Sequence, residues 1–235
     1  MCNTTLFSEK ELYKEIVRSG KDLINVALSP QEITKWLRTS VNKFQKNVVF
    51  KTLRHPDVLT GNIAISGDYD KDADLNSCPC IFVDLYYAKE KHQILFNDAK
   101  IKRLAVDIVE CIGHESVRRN LIKSRNYVEN PLIFVSCTED DALRDDQMYF
   151  GQPDSVEAFS YSVAASLYLS TSKNKITSND IYSNEIFQTY VSRFGPNHRI
   201  VGDLLLLSLK YYQQLIMDDG STKREQTKQT ELSTK

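Results

Sequence analysis

Between positions 101 and 112 the apolar residues fall at Ile101, Leu104, Ala105, Ile108, Val109 and Ile112, the spacing of one face of an α-helix. With about 100° of turn per residue, this stripe lies within about 80° of Ile112 on either side. Asp107, Glu110, His114 and Arg118 gather on the far side, at about 160° to 240°. Asn97 or Asp98 supplies a cap at the start of the helix. A two-faced helix of this length requires a partner surface for its apolar side, and the residues before it supply one.

Upstream, Ser8 and Glu11 form an S-x-x-E capping box ahead of Leu12, Ile16, Leu23 and Ile24, which predicts a helix from 9 to about 26 that Gly20 interrupts. Ser29-Pro30-Gln31-Glu32 repeats the signal before Ile33, Trp36, Leu37, Val41 and Phe44, giving a second helix from 30 to about 46. The period then changes. Residues 48–53 and 58–66 are β-like, and 80–88 is rich in β-branched and aromatic residues. Lys89-Glu90-Lys91 reads as the turn of a hairpin returning through 93–96.

Downstream, 132–137 reads as a strand, TEDDALRDD as an acidic connection, and a helix begins near Pro153. Two more helices follow, 179–194, ended by Gly195-Pro196, and 199–217. The last stretch, DDGSTKREQTKQTELSTK, has Leu232 as its one large apolar residue and predicts a disordered tail over 218–235. The expected architecture is α+β. A single domain covers 1–217, with a helical pair at 1–47 as an appendage, a small antiparallel sheet over the 101–112 helix, and C-terminal helices.

Composition narrows the function classes. A net charge of −1 gives no general attraction to nucleic acid or to an anionic membrane. No apolar run approaches the roughly 18–20 residues of a spanning helix, so a cytoplasmic protein is expected. Five cysteines, Cys2, Cys78, Cys80, Cys111 and Cys137, are odd in number and read as reduced thiols. The Cys78-Pro79-Cys80 pair lacks the second pair of a zinc ribbon. Asp68, Asp70, Asp72 and Asp74 alternate as in a calcium loop, but the glycine and glutamate of that loop do not follow.

The polar face of the central helix carries the chemistry. His114 and Glu115 begin an H-E-x-x-H pattern, in which two imidazoles at i and i+4 bind Zn²⁺ and the glutamate polarises a water. Arg118 stands where the second histidine belongs. A guanidinium has no lone pair to offer a metal, and its charge repels one. Arg118 is expected instead to pair with a carboxylate that would otherwise serve the zinc.

The order of hairpin, HESVRRNLIKSR helix, tyrosine-bearing loop and YFGQPDSVEAFSYSVAASL resembles zincin-like H-E-x-x-H metallopeptidases encoded by tailed bacteriophages, over roughly 81–169. That resemblance implies His114 as first ligand, Glu115 as general base, and Glu157, or second to it Asp154, as third ligand. With Arg118 at the second-ligand position, it implies a degenerate zinc site and a non-catalytic binding or virion-associated role. The partner is then a protein or peptide, other virion proteins included, with neither nucleic acid nor membrane involved. Zinc is the cofactor only if the site is functional, in which case the chain is an active hydrolase using His114, Glu115 and Glu157, with His92 or Asp154 as a further ligand.

A structural or interaction protein unrelated to zincins is the third reading. On it, Asp154 and Glu157 are an N-cap and its N3 partner, and Glu110–His114 and Glu115–Arg119 are surface ion pairs. His55, His92 and His198 are scattered, and Tyr190, Tyr211 and Tyr212 serve packing.

Overall fold

The computed structural model describes residues 8–70, 81–88, 93–128, 130–136, 138–171 and 175–233, with side chains through residue 219. The turn at 89–91, His92, Asp72, Asp74, Cys2, Cys78, Cys80 and Cys137 lie outside the described residues. The fold is α+β. The chain forms two compact units, Met1–Asn130 and Pro131–Lys235, where one domain over 1–217 was expected.

In the first unit, helix α1 (Glu9–Gly20) starts at Ser8, whose side chain accepts a hydrogen bond from the Glu11 N–H at 3.3 Å. The helix ends at Gly20, followed by one tight turn, Lys21–Leu23, and by Asn25 at φ 63°. A Cβ at Gly20 would stand 2.7 Å from Ile101 and 3.0 Å from Trp36, so the missing side chain lets α1 approach the central helix. Strand β1 (Ala27–Leu28) leads to α2 (Pro30–Val41), whose capping box is complete: Ser29 and Glu32 each accept the other's backbone N–H.

Strands β2 (Val48–Arg54), β3 (Ala64–Tyr69) and β4 (Ile81–Tyr87) form one sheet in the order β2-β4-β3. β2 and β4 run parallel, and β3 and β4 antiparallel. This three-stranded sheet is therefore mixed, and it stands in addition to the small antiparallel sheet expected, which the chain forms from two other short strands. The predicted hairpin is corrected, because β5 (Ile94–Leu95) pairs with β1, not with β4. Two-residue strands carry too little periodicity to reveal a partner.

Along the central strand, Ile81, Val83, Leu85 and Tyr87 are buried in alternation, and Val83 stands in register with both Phe50 and Gly67. Helix α3 (Asp98–Ser124) is capped by Asn97, which accepts from the Lys100 N–H at 2.8 Å. All six residues of the predicted stripe are at most 6% exposed. They share a core with Leu12, Ile16, Ile33, Leu37 and Val41.

On α1, Glu15 is 8% exposed and is held by Lys43 and Arg18. The hydrogen bond from Lys43, ahead of the Arg18 contacts, holds its carboxyl below the ordinary value, against the opposing effect of burial. A depressed carboxyl stabilises the fold above its unfolded pKa of about 4.3 and loses that contribution as pH falls through the lower folded value. The difference in Tm between the protein and Glu15→Gln should therefore be largest near neutral pH and close toward about pH 3. A difference independent of pH in thermal unfolding would contradict this.

The second unit is helical. Residues 132–136, expected as a strand, pair with no strand among the described residues. Phe134 instead exchanges hydrogen bonds with the Gln152 side chain, at 3.4 and 3.5 Å. Helix α4 (Asp141–Phe150) occupies the supposed acidic connection, capped by Asp140, which accepts from the Leu143 N–H at 3.0 Å. Aspartates at an N-terminus complement the helix dipole, so an acidic run with few apolar residues still forms a helix.

Helix α5 (Pro153–Ser170) follows with Pro153 in its first turn. The predicted 179–194 helix is two, α6 (Ser178–Tyr182) and α7 (Glu185–Phe194). They are split at Asn184, whose side chain accepts the Ile186 and Phe187 N–H groups. Gly195, at φ 83°, ends α7. Helix α8 (Arg199–Ser233) packs on α5. Its helical backbone continues through most of the segment expected as a disordered tail; lysine, arginine, glutamate and glutamine form helix well without a core to bury.

Candidate functional site

The candidate site of the first unit lies on the C-terminal half of α3, where β3 crosses it. A Cβ at Gly67 would stand 2.8 Å from both Cys111 Sγ and Glu115 Cγ. The glycine lets the strand backbone lie against the helix. His114, on the far face of α3, is 8% exposed, while Glu115 (3%) and Arg119 (4%) fall on the side of the apolar stripe.

One terminal nitrogen of Arg118 donates to both Glu115 oxygens, at 3.4 Å to Oε1 and 3.2 Å to Oε2. This contact joins neighbours on one helix, one nitrogen spanning two oxygens, and is not the two-point fork to a zinc-serving carboxylate that was expected. The guanidinium also lies 5.2 Å from the centre of the Tyr69 ring, in cation–π contact. His114 Nε2 stands 3.9 Å from Glu115 Oε1. In place of the expected Glu115–Arg119 pairing, Glu115 is engaged by Arg118, one residue earlier.

Beside this cluster Cys111 carries a free thiol. Burial, and after it the charges of Glu115, Glu110, Asp84 and Asp107, push that thiol well above the usual range, so it stays protonated and inert as a nucleophile.

Asp154 and Glu157 belong to the second unit. The N-cap position of α5 is Gln152, so the reading of Asp154 as N-cap with Glu157 at N3 is corrected: Pro153 takes the first helical position and the cap lies two residues earlier than assumed. Glu157 Oε1 accepts a hydrogen bond from the Tyr211 hydroxyl of α8 at 2.8 Å. Burial first, and this bond second, raise the Tyr211 phenol above its ordinary value. The Tyr211 ring meets Tyr161 edge to face at 5.6 Å. Tyr190 and Tyr212 are buried as expected, but sequence reasoning missed the polar role of Tyr211. A tyrosine at helical spacing carries no signal for a partner 54 positions away.

Of the other histidines, His55 packs its ring against Tyr86 at 5.7 Å, and His198 accepts the Ile200 N–H as a local cap. Among the described residues no group of three or more His, Cys, Asp or Glu is placed to hold a metal ion. The donors on α3 suit zinc poorly. His114 supplies one imidazole, and the Glu115 carboxylate beside it is already bound to the Arg118 guanidinium, a fixed cation that repels a metal. Among the described residues no helix is long and apolar enough to cross a membrane.

Comparison with models of known families, with curated proteins and with solved structures finds no match.

Proposed function

We propose that this chain is a zincin-like protein of the kind encoded by tailed bacteriophages, whose zinc site has degenerated and which binds a protein or peptide without cleaving it. One observation carries the reading: Arg118 stands at the second-ligand position and is paired with Glu115, the residue that would serve as general base. A carboxylate neutralised by a guanidinium is a weak proton acceptor, and the neighbouring charge disfavours a divalent cation. The proposal includes action in the host cytoplasm or within the virion, on other virion proteins.

Purified from zinc-containing medium, the protein should hold well under one Zn²⁺ per chain by elemental analysis. One tightly held ion per chain overturns the degenerate-site reading in favour of an active metallopeptidase using His114, Glu115 and Glu157. In that case Glu115→Gln must abolish cleavage while the fold persists. Arg118→His restores the second imidazole and should raise zinc occupancy toward one per chain. If occupancy does not change, the resemblance to zincins loses its support, and an unrelated interaction protein becomes the better reading.

A further inference from the structure

Residues 133–136 alternate in burial as a strand does, yet no strand lies beside them among the described residues. Phe134 is half-buried and Ser136 buried: the Phe134 ring sits against Gly151 and meets Phe194 edge to face at 5.7 Å, and the Ser136 hydroxyl donates to Gln147 of α4. Ile133 and Val135 are 69% and 67% exposed, as is Leu132 at the start of the run (67%), so the side turned away from the helices is apolar and open. The main chain divides in the same way, because alternate residues of an extended chain direct their N–H and C=O groups to opposite edges. On one edge the Gln152 side chain holds both the N–H and the C=O of Phe134, an amide in the place of a neighbouring strand. On the other edge Ile133 and Val135 make no hydrogen bond among the described residues.

We propose that this open edge receives an extended peptide of a partner protein, added as a strand alongside 132–136 and carrying lysine or arginine at its end. The hydrogen-bonding groups select the class of occupant. A helix has no spare main-chain groups to offer Ile133 and Val135, and a lipid surface would leave theirs unpaired in hydrocarbon. Charge then narrows the peptide. The segment itself is uncharged, but Glu139, Asp140 and Asp141 follow it and are exposed, with Glu139 in no ion pair among the described residues. A basic end beside them is attracted, and an acidic end is repelled. A second copy of the chain fits less well, since three outward apolar side chains are few beside the roughly 20 to 30 residues that each partner of a stable dimer buries. The inference rests on the protein-or-peptide part of the reading above; zinc content reports on α3 of the first unit, so the two can fail separately.

The test uses the full chain at low salt with three probes: a rhodamine-labelled Lys-Val-Thr-Val-Thr-Lys amide, its counterpart with glutamate for both lysines, and the lysine peptide methylated at every main-chain nitrogen. By fluorescence anisotropy the lysine peptide should bind at least tenfold more tightly than either of the others. At saturation, hydrogen exchange at the Ile133 and Val135 amides should slow at least tenfold, while that of Phe134, already bonded to Gln152, should change little. Val135→Pro removes one donor of the open edge and should weaken binding at least tenfold, whereas Val135→Thr keeps the donor and should bind as the parent does. Glu139→Gln should narrow the gap between the lysine and glutamate peptides. Failure of the lysine peptide to bind, equal binding of its methylated form, or unchanged exchange at Ile133 and Val135 overturns the proposal, whether or not the proline variant folds. A glutamate peptide that binds as tightly as the lysine one overturns the basic-end assignment. Sedimentation should find a monomer; a dimer that dissociates in Val135→Pro would assign the edge to a second copy and overturn the peptide.

Discussion

Gly67→Val should destabilise the first unit by about 3 kcal/mol, the upper part of the range for overpacking a filled interior. Valine suits a strand, so the intrinsic preference of the backbone favours the substitution and the loss must come from contact. The first added carbon already meets Cys111 Sγ and Glu115 Cγ at 2.8 Å and Glu115 Oε1 at 3.2 Å. Neither neighbour yields readily: the Cys111 side chain has a single rotatable bond with which to move its sulfur, and Glu115 is held by Arg118. Gly67→Ala should cost less, and Cys111→Ala should relieve part of that cost by removing one of the two collisions. Urea unfolding of the single and double variants measures both. A valine variant within about 0.5 kcal/mol of the parent would show that the strand and helix are not in contact as described.

Arg118→Met should cost about 2 to 3 kcal/mol. The Glu115 side chain is 4% exposed and that of Arg118 17%, so the pair is largely shielded from water, and removing the cation leaves a carboxylate in a poorly solvating place. The figure is set below the full penalty for an orphaned buried charge because the Arg118 side chain is 17% exposed, so water can reach the carboxylate once the guanidinium is gone. Adding Glu115→Gln removes the stranded charge, so the double variant should be more stable than the sum of the two single losses by about 1 to 2 kcal/mol. Strict additivity in chemical unfolding would mean that the two side chains do not interact.

Much of the first unit was legible because its signals are local. The spacing of Ile101 through Ile112, the Ser29–Glu32 box and the β-branched run at 81–87 each state their structure within a few turns or residues. The failures of pairing share a cause. Pairing of β1 with β5, parallel running of β2 and β4, and the Tyr211–Glu157 bond all join segments distant in the chain, and residue type does not encode which distant partner is met. Helix α4 was missed for another reason: its evidence is capping and dipole chemistry, not an apolar stripe.

The candidate site divides the same way. That position 118 holds an arginine, which cannot ligate zinc, follows from the sequence alone, because it is a property of one functional group. That this arginine spans Glu115 and lies over Tyr69 was decided by the tertiary structure. Covalent chemistry belongs to each residue separately, whereas solvation and charge pairing belong to the space that several segments enclose together, and that space exists only once β3 lies across α3.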